Sequence, residues 1–405
     1  MPTNPFATVA LPGFLFDLQH RELREVTSGE RVALRPQIAG VLHCLALHAG
    51  EVVPKEELMR VVWSNVVVTD DSLVQCIKDL RRVLGDDAHR VIQTEPKRGY
   101  RLVLDAVPVP DFKQDIRFAT SGDGICIAYA LSGKGTPLVR AAHWMTHVEW
   151  DWRSSASGEF LGRLSQRNQL LRYDGRGCGL SDRGVQMATL DDAVRDLEAV
   201  VDSAGLKCFA LLGRSQGASI AIRYAAGHPD RVRRLVTLGG FLRGQRCRGE
   251  QSVSRESMEA FCRVLEEGWG KENSALRQIW TSYAFPGASI EQQDSFNQLQ
   301  RVACSPQDAA NIWRTGALYD ATGDLPQVKC PTLVLHNPDD ALVPFEEGRL
   351  IASGIQGARL ETFTSRNHLP LPGEPAFEHV MGLIDEFLAE PFATAPQGPV
   401  SEKFA

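Results

Sequence analysis

The sequence predicts an α/β protein in two blocks. A small strand–helix–hairpin unit comes first, followed by a larger parallel sheet wrapped by helices. Three observations predict this. At 405 residues the chain is too long for one average domain. Pro108 and Pro110, with charges nearby, break it in the stretch DAVPVPDFKQD. Beyond that break, short apolar strands alternate with longer helical stretches, the pattern of βα units. The expected boundaries are residues 1–105, a linker over 106–115, a second domain over 116–390 with a helical cap at about 241–325, and a disordered Pro/Ala/Gly-rich tail over 391–405.

Composition narrows the function classes. Hydrophobic residues at 43% and charged residues at 23% describe a globular chain, and 44 Lys+Arg against 50 Asp+Glu exclude a polybasic binder. A DNA-reading module remains open, because only its own face has to be positive. Nine cysteines without a C-x-x-C pair imply reduced thiols and no metal site. No apolar run approaches the ~18 residues of a membrane span, and the first residues lack a signal-peptide pattern. The expectation is a cytoplasmic protein without membrane contact or cofactor.

In the first block, FLFDL, ELREV and RVAL read as strands. Pro36 opens a helix with Ile38, Val41, Leu42 and Leu45 on one face, and Pro54 opens a second around Leu58, Val61 and Val62. Thr69 or Asp70 caps a third, where Leu73, Ile77, Leu80 and Leu84 face inward. Its other face carries Ser72, Gln75, Lys78 and Arg82, with Arg81 beside it. VIQTEPKRGYRLV then reads as a hairpin whose tip holds Lys97 and Arg98. Gln and Lys on a helix suit base edges in the major groove, and flanking Arg suits phosphates. Between Lys78 and Arg101 there are seven basic residues against four acidic ones, among them Asp79 on the helix itself.

This order, with Gly50-Glu51-Val52-Val53, Leu58 to Trp63, Leu80-Arg81-Arg82-Val83-Leu84-Gly85 and Gly99-Tyr100-Arg101-Leu102, resembles the winged helix-turn-helix domain of OmpR/PhoB-type bacterial transcription regulators. The resemblance implies double-stranded DNA as partner, with Ser72, Gln75, Lys78, Arg81, Arg82, Lys97 and Arg98 at the interface, and a homodimer.

In the second block, strands are expected at 116–119, 125–131, 137–142, 169–174, 208–213, 234–239, 332–336 and 359–363. The fifth runs into Gly213-Arg214-Ser215-Gln216-Gly217, with a helix behind it. A strand, a glycine-flanked serine and a helix together form the tight turn that exposes a nucleophilic hydroxyl. Such a serine needs a base, and the base an orienting carboxylate. The last two strands lead into Asn337-Pro338-Asp339-Asp340 and Ser365-Arg366-Asn367-His368. Asp340 is preferred, three residues before Val343-Pro344, with Asp339 as its alternative.

The motif, its downstream Asp and His, and the turn RGCGLSD (176–182) resemble the α/β-hydrolase superfamily. The resemblance implies a triad of Ser215, Asp340 and His368 with an oxyanion hole at Gln216, Trp144 and Met145. Where ordinary members carry His-Gly after the third strand, this chain has His143-Trp144-Met145, so a bulky side chain stands at the hole. His143, Trp144, Trp150, Trp280, Tyr283 and Trp313 are expected to line an apolar pocket, and Glu149 or Arg153 to orient a polar ligand group. The functional expectation is a DNA-binding regulator whose hydrolase-like domain senses a small apolar ester, lactone or amide, with slow hydrolysis as an added activity. The alternative is an esterase or lactonase that uses the winged helix as a tether.

Overall fold

The computed structural model describes residues 8–390 except 12, 19, 26–29, 51, 64–69, 87–90, 97, 104–113, 186–188 and 272–273. Thr69, Lys97, most of the expected linker and the 391–405 tail therefore lie outside the described residues. The chain divides into two compact units, Met1–Pro108 and Val109–Ala405.

The first unit opens with β1 (Thr8–Leu11), β2 (Phe14–Asp17), β3 (Glu22–Glu25) and β4 (Arg31–Val32), paired antiparallel in that order. Strand β1 precedes the first strand read from the sequence. Then come α1 (Pro36–Leu47), β5 (Val52–Val53), α2 (Lys55–Val62), α3 (Asp70–Leu84), β6 (Ile92–Glu95) and β7 (Gly99–Leu102). The inward stripe of α3, at three- and four-residue spacing, packs with Val41, Leu42, Leu45 and Leu58 in one core. Strands β6 and β7 form the expected hairpin, with β5 on the far side of β7. Gly99 is obligatory there: its φ is +147°, and a Cβ would stand 2.0 Å from the Val53 carbonyl oxygen.

The second unit is one eight-stranded sheet. Its strands are β8 (Asp115–Thr120), β9 (Cys126–Ser132), β10 (Thr136–Arg140), β11 (Asn168–Tyr173), β12 (Phe209–Arg214), β13 (Val232–Leu238), β14 (Thr332–His336) and β15 (Arg359–Thr362), in the order β15-β14-β13-β12-β10-β11-β9-β8. Six strands run parallel, and β9 and β8 close the edge antiparallel. All eight fall where the sequence places them. Alternate residues feed two cores: Leu211 and Leu235 point to one face, Ala210, Leu212 and Val236 to the other.

Helices α4 (Trp150–Arg153), α5 (Gly158–Arg167), α6 (Leu190–Ser203) and α7 (Gly217–Gly227) connect the strands up to β13. Between β13 and β14 stand α8 (Arg255–Gly268), α9 (Ala275–Ala284), α10 (Ile290–Ala303) and α11 (Pro306–Gly316). Each of these four starts behind a serine (254, 274, 289 and 305) whose side chain accepts a backbone N–H in the first turn. They carry a separate apolar cluster that includes Trp269, Leu299 and Ala309. Finally α12 (Phe345–Gly354) and α13 (Pro375–Ala389) complete the layer around β14 and β15.

Candidate functional site

Strand β12 ends at Arg214 and α7 begins at Gly217, so only Ser215 and Gln216 make the turn. Ser215 takes φ +48°, a left-handed conformation costly for any residue with a Cβ. The turn is held by Ser215 N–H donating to Leu238 O at 3.0 Å and Ala218 N–H donating to Ser215 O at 3.1 Å. The flanking glycines let strand and helix approach. A Cβ on Gly213 would lie 2.6 Å from Ala218 Cα, and one on Gly217 would lie 2.9 Å from Ala142 O.

The loops after β14 and β15 bring a carboxylate and an imidazole together. Asp340 Oδ2 is 2.6 Å from His368 Nδ1, while Asp340 Oδ1 accepts the backbone N–H groups of Leu342 at 2.9 Å and Val343 at 3.1 Å. Asp339 is exposed, and no side-chain hydrogen bond of its carboxylate is present. The structure thus pairs His368 with Asp340. Nδ1–H faces the carboxylate, and Nε2 is buried without a hydrogen-bond partner. His336 packs behind the pair, with Nε2 donating to Val343 O at 3.1 Å and lying 3.9 Å from Asp340 Oδ2; burial lowers its pKa.

A second set of contacts, not read from the sequence, fixes the histidine loop. Asn337 Nδ2 donates to Ser365 O at 2.7 Å, Ser365 Oγ donates to Glu374 at 2.7 Å, and Asn367 Nδ2 donates to Glu374 at 3.0 Å. The His368 N–H itself donates to Ala284 O on α9 at 2.8 Å. The four-residue run S-R-N-H gives no hint of this, because its partners lie on three other segments.

Ser215 and His368 line one cavity of about 970 Å³, counted out to its mouth. His143, Trp144, Trp280 and Trp313 line it, and Phe241, Phe285, Phe296 and Leu371 add to an apolar wall. Trp144 stands 5.6 Å from Trp280 and 5.4 Å from Trp313 between ring centroids, so its ring meets the helices of the β13–β14 insertion. Two of the expected lining residues are absent from that wall. Trp150 is 37% exposed at the start of α4, and Tyr283 is 49% exposed with its hydroxyl donating to Ala341 O at 2.6 Å. Tyr283 packs beside Trp280 on α9, ring centroids 6.2 Å apart, but on the solvent side of that ring. Nor do Glu149 and Arg153 reach the cavity; the charged groups in its wall are Arg214 and Arg248.

At the expected oxyanion hole, Gln216 and Trp144 both line the cavity. Gln216 precedes the first turn of α7, where backbone N–H groups have no acceptor within the helix. Met145 takes φ +50°, but its side chain is buried with its sulfur 3.5 Å from Cys304 Sγ and is not part of the lining. His143 donates from Nδ1 to Trp144 O at 3.0 Å and accepts from Arg140 at 3.4 Å. Burial, with Arg140 and Arg214 nearby, pushes its pKa well down, so the ring is neutral.

In the first unit, Gln75, Lys78 and Arg82 are exposed on one side of α3, with Ser72 half-buried beside them and Arg98 exposed after β6. Arg81 departs from expectation. It is half-buried, its Nε donating to Ile92 O at 3.1 Å and Nη2 to Thr94 Oγ1 at 3.0 Å. It therefore ties α3 to β6, because its position on the helix faces the hairpin. The negative charge of Asp79 is also spent internally: its carboxylate accepts from Arg35, from Gln75 at 3.0 Å and from Arg82 at 3.3 Å.

Comparison with known proteins agrees with both units. Residues 29–102 match the family "Transcriptional regulatory protein, C terminal", and residues 135–377 match "Alpha/beta hydrolase family". The chain is 28% identical over 256 residues to a putative carbamate hydrolase, RutD, of Azorhizobium caulinodans, covering 60% of this chain and 88% of that one. It is 36% identical over 83 residues to the transcriptional activator CadC of Escherichia coli, covering 20% of this chain and only 16% of the activator. An esterase of Exiguobacterium antarcticum superposes with a TM-score of 0.57 at 21% identity, covering 67% of this chain and 99% of the esterase, which shows the shared fold. Among the described residues no helix is long and apolar enough to cross a membrane. The chain belongs to the alpha/beta hydrolase family, and its N-terminal region is a winged-helix DNA-binding domain of the OmpR/PhoB type.

Proposed function

We propose that this protein is a transcription regulator whose hydrolase domain takes up a small, mainly apolar ester, lactone or amide and hydrolyses it at Ser215. One observation carries the reading: a histidine oriented by Asp340 presents an unpartnered Nε2 in the same cavity as a serine on a strained turn. His368 takes the hydroxyl proton as Ser215 Oγ bonds to the carbonyl carbon, and returns it to the leaving alcohol or amine as that bond breaks. Water, deprotonated by His368, then releases the acid and restores the serine. The Gln216 N–H and a backbone N–H near Trp144 hold the oxyanion.

The winged helix reads DNA through Ser72, Gln75 and Lys78, with Arg82, Lys97 and Arg98 on the phosphate backbone, and two copies bind adjacent half-sites. Ligand changes DNA affinity by binding one state of the protein better than another, and hydrolysis ends the signal. The test is intact-protein mass spectrometry of wild type and Ser215→Ala after exposure to diethyl 4-nitrophenyl phosphate, a neutral serine-directed reagent. One adduct per chain, confined to the wild type, is expected; an unlabelled wild type defeats the hydrolytic reading.

A further inference from the structure

Arg214, next to the serine, forms no ion pair; Asp151, an acid that favours its charge, is hydrogen-bonded to Arg140 instead. Its residue is 4% exposed and lines the cavity, yet no carboxylate pairs with it and its Nε is buried without a hydrogen bond. Its Cζ stands 4.2 Å from the centre of the Phe160 ring. A buried guanidinium left in this condition is costly, and ordinary folding pressure would replace it with an apolar residue.

The surroundings do not supply the missing charge. The neighbouring Arg140 is neutralised by Asp151 at 2.7 Å. Arg172 donates to Gln114 and to Val148 O at 2.5 Å, both neutral, and its Nη1 and Nε are unpartnered. Asp174 is the other carboxylate in this cluster; its Oδ2 accepts from Leu180 N–H at 2.9 Å and its Oδ1 is unpartnered. Burial pushes the Asp174 carboxyl up to about 7. Three guanidinium groups thus share two carboxylates, one of them partly protonated near neutrality. Arg172 and Arg214 are both left without an ion pair, and of the three arginines Arg214 is the one that lines the cavity.

We infer that the ligand of this cavity carries a carboxylate on its apolar body and that Arg214 binds it, the planar guanidinium matching a planar carboxylate. This rests on the reading of the cavity as the ligand site and names the class within it: half-esters, carboxy-lactones and N-acyl acids in preference to neutral esters. The tryptophans at 144, 280 and 313 take the apolar body, and the carbonyl to be attacked lies at Ser215.

The test uses the full chain with Ser215→Ala and follows tryptophan fluorescence on titration with 4-phenylbutyrate and with its neutral isostere 4-phenylbutyramide. The carboxylate is expected to bind roughly tenfold tighter or more, the scale of a charge-assisted hydrogen-bonded pair. Adding Arg214→Met removes that preference, and its apo melting temperature is equal or higher because an unpaired buried charge is gone. Arg214→Lys, which keeps the charge without the fork, retains part of the preference and serves if the methionine variant does not fold. Equal affinity for the two probes, a preference that survives Arg214→Met, or binding of neither at millimolar concentration overturns the inference. The neutral phosphate labelling of the wild type reports separately. Labelling without carboxylate preference defeats only the carboxylate inference, and preference without labelling defeats only the hydrolytic reading.

Discussion

Asp340 Oδ2 lies 2.6 Å from His368 Nδ1, although 28 residues separate them in sequence. The contact exists because β14 and β15 are parallel neighbours in register, Leu333 opposite Arg359, so the loops at their carboxyl ends leave the sheet side by side. The second carboxylate oxygen is held by two backbone N–H groups, which fixes the direction in which the imidazole is presented.

Asp340→Asn is expected to keep the fold and lose the chemistry. The amide oxygen still accepts from Leu342 and Val343, but an amide N–H facing Nδ1 favours the wrong tautomer of His368. Labelling by diethyl 4-nitrophenyl phosphate should slow by roughly 10³–10⁴-fold. A rate within a few-fold of wild type would remove Asp340 from the mechanism.

Gly213→Ala tests the turn itself. The added Cβ would meet Ala218 Cα at 2.6 Å, in a place where strand and helix backbones have no room to part. Destabilisation of ~1–3 kcal/mol is expected, read by urea denaturation, together with loss of labelling. An unchanged midpoint would mean that β12 and α7 separate more easily than their packing implies.

On α3, two adjacent arginines should behave differently. Arg82→Ala removes an exposed cation, so binding weakens on all DNA sequences and the slope of log K against log salt falls by about 0.9. Arg81→Ala breaks the tie to Ile92 and Thr94 and should lower the stability of the first unit while leaving the salt slope nearly unchanged. Electrophoretic mobility shifts across a salt series, paired with thermal denaturation, separate the two. Equal salt effects would return Arg81 to the DNA face.

Asp174 makes stability depend on pH. Burial raises its carboxyl from 3.8 to about 7 in the folded chain, so between those values the folded state holds a proton that the unfolded state has released. Stability is therefore greatest below the lower value and declines as pH rises through the upper one. Asp174→Asn keeps an oxygen for the Leu180 N–H and removes the titration. Denaturation midpoints measured between pH 4 and 7 should fall less steeply in the variant; an identical slope would show that another group carries the dependence.

Much of this architecture was legible beforehand because it is written in local pattern. The eight strands of the large sheet are short apolar runs, and G-x-S-x-G sits between one of them and a helix, so both the fold and Ser215 could be read directly. The choice of Asp340 over Asp339 needed the spacing to Val343-Pro344. Strand β1 borders a segment without periodicity and is not legible in the sequence, and nothing local shows that Arg81 bonds to Ile92 and Thr94. Aromatic character puts Trp150 and Tyr283 among the pocket candidates but carries no direction.

The sequence by itself determined two units, their order, the serine turn and the residue types able to form a triad, since these follow from hydrophobic period, glycine placement and turn chemistry along the chain. Tertiary structure alone decided the partnerships. It paired His368 with Asp340, spent Asp79 and Arg81 inside the first unit, carried Tyr283 outward, and left Arg214 in the cavity wall without an ion pair. The physical reason is that a long polar side chain is steered by whatever donor or acceptor lies within about 3 Å of it, and those neighbours come from strands and helices distant in sequence.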